Sequence, residues 1–150
     1  MVVADTVAFA AAVRTPGMAD IPSSHRDLFE KKTFAHFATV MPDGTPQVTP
    51  VWVDYDPETN HVLVNTARGR RKERNVSRDP KVGIEMSDPD DPYRYLSVQG
   101  EVESVSTAGA DAHADELAGR YMDLEEYPNH GEEVGERVVI RIRPERVIAN

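Results

Sequence analysis

The chain has 150 residues, of which 39% are hydrophobic and 29% charged, with a formal net charge of -9 and a pI near 5.0. That length can bury one core without metal or disulfide staples, no apolar stretch approaches the roughly 20 residues of a bilayer-spanning helix, and the acidic balance opposes nucleic acid and anionic membranes. Cysteine is absent, which removes disulfides, thiolate metal sites and cysteine nucleophiles together.

The segment "VAFAAAV" (7–13) follows Asp5 with no Lys or Arg before it, so it lacks the charged start of a secretory signal, and the cytoplasm is the expected location. Pro16, Gly17 and Pro22 then punctuate the chain. Residues 1–20 read as an N-terminal arm, a short helix or a mobile segment, ahead of a single domain over 21–150. Ser24 with Asp27 three residues on is a weak capping pattern for a short helix reaching about Lys32.

Three runs rich in strand formers follow, "FAHFATVM" (34–41), "QVTPVWVDY" (47–55) and "HVLVNT" (61–66), separated by the turn sequences "PDGT" and "DPETN". They predict an antiparallel meander. "KERNVSR" (72–78) has room for two helical turns before Asp79–Pro80 stops it. "KVGIEM" (81–86) predicts a fourth strand, "SDPDDP" a loop, and "YRYLSVQGEVESVS" (93–106) a long strand with a bulge or bend at Gly100. In 109–124, Ala110, Ala114, Leu117 and Tyr121 recur at helical spacing. A last strand spans 136–148, with Val138, Ile140 and Ile142 on one face and Arg137, Arg141 and Arg143 toward solvent. Six strands and few helices predict a mainly β, α+β-class small barrel with short flanking helices, closed so that no long edge is exposed.

Chemistry concentrates in "NTARGRRKERN" (65–75), where Arg68, Arg70, Arg71, Lys72 and Arg74 crowd a junction between strand and helix. Such packing repels itself unless an anion is bound, and helix N-terminal amides also welcome negative charge. Arginine brings a planar fork of donors and lysine a mobile point charge, a combination suited to phosphate or carboxylate. A solvated face neutralised by Glu73 or Asp79 is the alternative reading of the same charges. Nucleic acid is disfavoured because no aromatic residues interleave the cations. The histidines at 25, 36, 61, 113 and 130 show no metal-ligand spacing, and Asp111, His113 and Asp115 read as an exposed helix face. No Walker loop or GxGxxG stretch occurs.

The run "FATVMPDGTPQVTPVWVDYDPETNHVLVNTARGRRKERNVSRDPKVGIEMSDPDDPYRYLSVQGEVESV", with "RVVIRIRPERV" near the end, resembles the pyridoxamine 5'-phosphate oxidase-like split β-barrel proteins. Its likeness is to the branch dependent on the deazaflavin coenzyme F420, and it covers roughly residues 25–148. The resemblance implies a six-stranded split β-barrel of the FMN-binding type and a homodimer with two cofactor sites at the subunit interface. By this likeness the cofactor ring lies against Pro50, Val51 and Trp52, and Asn65 and Thr66 border the ring or ribityl chain. Arg71 and Lys72 match the phosphate-holding positions, Arg68, Arg70 and Asn75 assist, and Tyr95 approaches the cofactor, as Tyr93 could. FMN-using oxidases also supply an Arg and a Lys from the second strand, whereas "QVTPVWVDY" carries no cation, which disfavours FMN and leaves the 65–75 loop as the grip.

The expected activity is hydride transfer from reduced F420 to a small unsaturated or quinone-like molecule, with Tyr95, His36 and Arg68 as candidate proton donors. An FMN-dependent oxidase or oxidoreductase on the same fold is one alternative, and a flavin- or haem-type ligand-binding protein without turnover is another. No metal, membrane or nucleic-acid partner is expected.

Overall fold

A computed structural model describes residues 18–132 and 135–150. Most of the arm expected over residues 1–20 therefore lies outside the described residues. Its last residues are anchored: the Ala19 amide donates to the Pro144 carbonyl at 2.9 Å, and its carbonyl accepts from Asn60 Nδ2 at 2.9 Å.

Seven strands of the described residues form one antiparallel sheet in the order β2-β1-β5-β6-β7-β4-β3. They are β1 (Ala35–Val40), β2 (Pro46–Val51), β3 (Asp54–Asp56), β4 (His61–Ala67), β5 (Lys81–Asp88), β6 (Asp91–Ser106) and β7 (Arg137–Ala149). Six were expected, and the seventh arises because the 47–55 run splits at Trp52–Val53. There the chain leaves its pairing with β1 and joins β4 instead. The Tyr121 hydroxyl takes the ladder's place at this break, accepting the Val53 amide at 3.2 Å and donating to the Thr33 carbonyl at 2.6 Å.

Consequently β2 and β3 stand at opposite ends of the hydrogen-bonded order although only Trp52 and Val53 separate them in the chain. Two residues span at most about 10 Å, so the sheet must roll until its ends approach. No ladder joins them, so the closed six-stranded barrel expected from the sequence is instead a rolled, open sheet of seven. One cluster fills it: Phe37 from β1, Val62 and Val64 from β4, Ile84 and Met86 from β5, Leu96 and Val98 from β6, and Ile140 and Ile142 from β7. Strand alternation supplies these residues, since every second side chain points inward. Ile21, Leu28 and Phe29 close one end.

Among the described residues three helical segments flank the sheet: a 3-10 helix (Ser23–Phe29), α1 (Arg71–Arg78) and α2 (Ala110–Met122). Contrary to the capping pattern read from the sequence, Ser24 makes no cap; Pro22 occupies that position, and Asp27 pairs with Arg94 at 2.5 Å. The "SDPDDP" stretch is not a loop either. β5 runs to Asp88 and β6 starts at Asp91, because the Asp88 carboxylate accepts the Asp90 amide, Lys31 Nζ and Arg94. Register does shift at Gln99/Gly100, as expected, and a Cβ at Gly100 would lie 2.1 Å from the Arg143 carbonyl oxygen. No described helix is long and apolar enough to cross a membrane.

Candidate anion and cofactor pocket

Three residues separate the end of β4 from the start of α1, and Arg70 and Lys72 at this junction border a pocket. With Phe34, Pro50, Val51, Trp52, Asn65, Thr66, Tyr127 and Arg137 they line a cavity of about 210 Å³. Seven of the residues expected at a cofactor site thus meet: Pro50, Val51 and Trp52 from the end of β2 and the break after it, Asn65 and Thr66 from β4, and Arg70 and Lys72. Among the described residues three charged side chains line it, all cations. Burial pushes the Lys72 ammonium below its ordinary pKa, and repulsion from Arg70 and Arg137 pushes it further. A charge held in that state is stabilised by an incoming anion.

The remaining cations of the cluster divide differently. Glu73, buried in the first turn of α1, accepts the Gly69 amide at 2.8 Å and Ser77 Oγ at 2.7 Å, and Arg68 approaches it at 3.5 Å. Burial opposes the charge on Glu73, but these donors outweigh it and hold its pKa below the usual value. Arg68 therefore fits the neutralised-surface reading, and Arg74 is exposed. Arg71 opens α1 half-buried, outside the pocket lining. Asn75 is fully buried and ties α1 to β1, its Nδ2 donating to Thr39 Oγ1 at 3.0 Å. Tyr95 lies on β6 opposite Ser87, away from this pocket in the single chain, and exposed Tyr93 sits two residues before it. His36 faces Glu85 at 3.1 Å on the outer side of β1. None of the three expected proton donors lines the cavity.

An aromatic wall bounds one side. Trp52 stacks on Tyr121 with centroids 5.2 Å apart and planes 6° from parallel, and Tyr127 meets Trp52 edge-on at 6.2 Å. Phe34 leans on Tyr121 at 5.4 Å. Among the described residues β2 pairs only with β1, so its other edge carries unpaired backbone groups. The Thr66 hydroxyl is buried and has no hydrogen-bond partner among the described residues. Buried polar atoms normally have one, which makes this hydroxyl a ready contact for a bound group. A larger hollow of about 760 Å³ lies beyond Arg137, but Asp111, Asp115 and Glu136 line it and make it unsuited to an anion.

The family model for pyridoxamine 5'-phosphate oxidase matches residues 21–150. The chain belongs to the pyridoxamine 5'-phosphate oxidase family. Among solved structures it is similar to an F420 reductase, at 36% identity over 85% of this chain and 98% of that one, with a TM-score of 0.73. A conserved hypothetical protein from Mycobacterium tuberculosis shares the fold at 20% identity, 91% and 88% coverage and a TM-score of 0.68. HupZ from Group A Streptococcus does so at 22% identity, 86% and 93% coverage and a TM-score of 0.62.

For this member of the pyridoxamine 5'-phosphate oxidase family, three lining residues escaped the sequence reading. Phe34 reads as an ordinary strand residue, and no motif singles out Tyr127 within the 124–135 loop. Arg137 read as a solvated strand residue, yet its Nε donates to Asn65 Oδ1 at 2.9 Å and its guanidinium lies 4.4 Å from the Tyr127 ring centroid. His113 was assigned to an exposed face of α2, but its side chain is only 12% accessible and bonds to Asp54 and Asn65. The helical period marks this position as flanking the apolar stripe, and only the packing of α2 on β4 turns it inward.

Proposed function

We propose that the protein is an oxidoreductase that holds coenzyme F420 in the pocket between Trp52 and Lys72 and uses its reduced form to reduce a small unsaturated or quinone-like molecule. Family membership supports an oxidoreductase with a flavin-type cofactor, and the likeness to an F420 reductase favours the deazaflavin. The observation that carries the reading is the convergence of Arg70, Lys72 and Arg137 on one pocket whose lining, among the described residues, holds no carboxylate. FMN is the second reading; the absence of any cation from Gln47–Tyr55 speaks against it.

The residues present fit such a group. Arg70, Lys72 and Arg137 would take its anionic portion, the Trp52–Tyr121 stack and the β2 edge its flat portion, and the Thr66 hydroxyl a polar atom. When bound, reduced F420 supplies the hydride. Phe34, Trp52 and Tyr127 keep water from the apolar side, and the Tyr127 hydroxyl, accepting from Arg137 at 3.2 Å, retains its own hydrogen to donate. A volume of about 210 Å³ is below the roughly 300–1,000 Å³ of ordinary ligand pockets. That shortfall supports a homodimer in which a second copy completes each site, with residues 21–150 as the barrel unit and 1–20 as an arm.

Absorbance and Trp52 fluorescence titrations with F420 and with FMN test the proposal. Saturable quenching by F420 is expected, since the single tryptophan lines the pocket. A yellow preparation that retains FMN and ignores F420 overturns it in favour of the second reading.

A further inference from the structure

Asn65 stands in the pocket wall, and two partners that each have a single role show which way its amide is turned. Arg137 Nε can only donate and lies 2.9 Å from Oδ1, whereas the Ala110 carbonyl can only accept and lies 2.9 Å from Nδ2. The same Nδ2 points at His113 Nδ1 from 3.1 Å. That ring nitrogen must therefore accept, and the ring hydrogen sits on Nε2, which donates to Asp54 Oδ2 at 3.0 Å. Arg120 holds the other carboxylate oxygen of Asp54 through both terminal nitrogens at 3.2 Å and also donates to the Val53 carbonyl. Burial works against the Asp54 charge, but His113, the Tyr55 amide and Arg120 outweigh it and keep its pKa below the usual value. Hydrogen bonds thus run unbroken from α2 through His113 and Asn65 to Arg137.

We propose that His113 is a positioning residue for the anion pocket, aiming Arg137 into it through Asn65. This rests on the anion-site reading given above. Three like charges around one small cavity repel each other, and a long arginine side chain swings toward water unless it is tied. Asn65 ties Nε, and the Tyr127 hydroxyl takes a terminal nitrogen at 3.2 Å. The Asn65 tie depends on an amide whose orientation His113 helps to set, because an Asn65 turned by half a rotation would present its NH2 to Arg137.

The test compares the full-length protein with His113→Leu, which removes both ring hydrogen bonds, and His113→Gln, which keeps one acceptor and one donor. In wild type, nitrogen-15 spectra should show His113 with its hydrogen on Nε2. Arg137 Nε–H should resist solvent exchange in wild type and H113Q and lose that protection in H113L. F420 affinity should fall roughly tenfold in H113L, the scale of a lost hydrogen bond to a charged group, and recover in H113Q. On an Arg137→Lys background, which lacks Nε, H113L should cost nothing further. An Nδ1-protonated ring overturns the proposal, as does equal Nε–H exchange in wild type and H113L, or an H113L loss that persists undiminished beside R137K. The spectra and the exchange need no cofactor. A wild type that binds neither F420 nor FMN therefore defeats the functional reading while the hold of His113 on Arg137 is still decided.

Discussion

Lys72 carries a charge that its surroundings oppose, and that opposition is what separates it from its neighbours in the sequence. Removing it should harm ligand binding more than folding. Lys72→Ala is expected to weaken F420 binding at least roughly tenfold, the scale of a charge-assisted hydrogen bond, with the melting temperature nearly unchanged. Arg71→Ala, outside the cavity lining, should cost markedly less. Equal losses from the two variants, read by fluorescence titration, would return the whole loop to a diffuse basic surface. Lys72 also sets a pH dependence. An anion favours the charged ammonium, whose pKa in the free protein lies below the ordinary 10.5. Affinity should hold at low and neutral pH and fall as pH rises through that lowered value. The fall should disappear in Lys72→Ala; a pH profile identical in the variant contradicts the assignment.

At the scale of elements, α2 does more than cover the sheet. Its buried stripe of Ala110, Ala114, Leu117, Ala118 and Tyr121 packs on the sheet, and from its flanks come His113 toward Asn65, Arg120 toward Asp54, and Tyr121 against Trp52. One helix thereby holds the β2–β3 break and one wall of the pocket. Burial raises the Tyr121 pKa, so its hydroxyl stays protonated and able to donate to Thr33. Tyr121→Phe keeps the stack on Trp52 but leaves the Val53 amide and Thr33 carbonyl without that partner. It should cost about 1–3 kcal/mol in urea unfolding, the penalty for stranding buried polar groups, with Trp52 emission little changed. Unaltered stability would show that the break does not depend on this hydroxyl. The split of the 47–55 run illustrates what periodicity misses: "QVTPVWVDY" has continuous strand character, and nothing local marks Trp52–Val53 as the point where one pairing partner is exchanged for another.

For the whole molecule, carboxylates that are paired in the fold make stability depend on acid. Hydrogen bonds from Lys31 and the Asp90 amide to Asp88, from Arg94 to Asp27, and from the Tyr127 amide to Asp115 lower the pKa of each. Asp54 and Glu73 are lowered against the opposing effect of burial. A folded-state pKa below the unfolded one contributes stability that is present above the unfolded value and lost as pH falls through the folded one. Urea midpoints should therefore be flat near neutrality and decline from about pH 4.5 downward. A midpoint that holds or rises on acidification would contradict these pairings. They fasten the 3-10 helix to the β5–β6 turn and the 127–130 segment to α2, linking parts far apart in the chain.

The sequence by itself determined the strand runs, the two longer helices and a cationic knot that a −9 chain has no structural need to assemble, because alternation, helical spacing and charge clustering are local properties. Its motifs also carried the family likeness, and seven of the expected cofactor residues meet in one pocket. Only the tertiary structure decided which cations face that pocket, that Glu73 neutralises part of the cluster, and that Phe34, Tyr127, Arg137 and His113 belong to the site or its support. Those residues lie 31 to 72 positions from Asn65, and what brings them together is sheet order and helix packing, which depend on contacts among distant segments that no local pattern encodes.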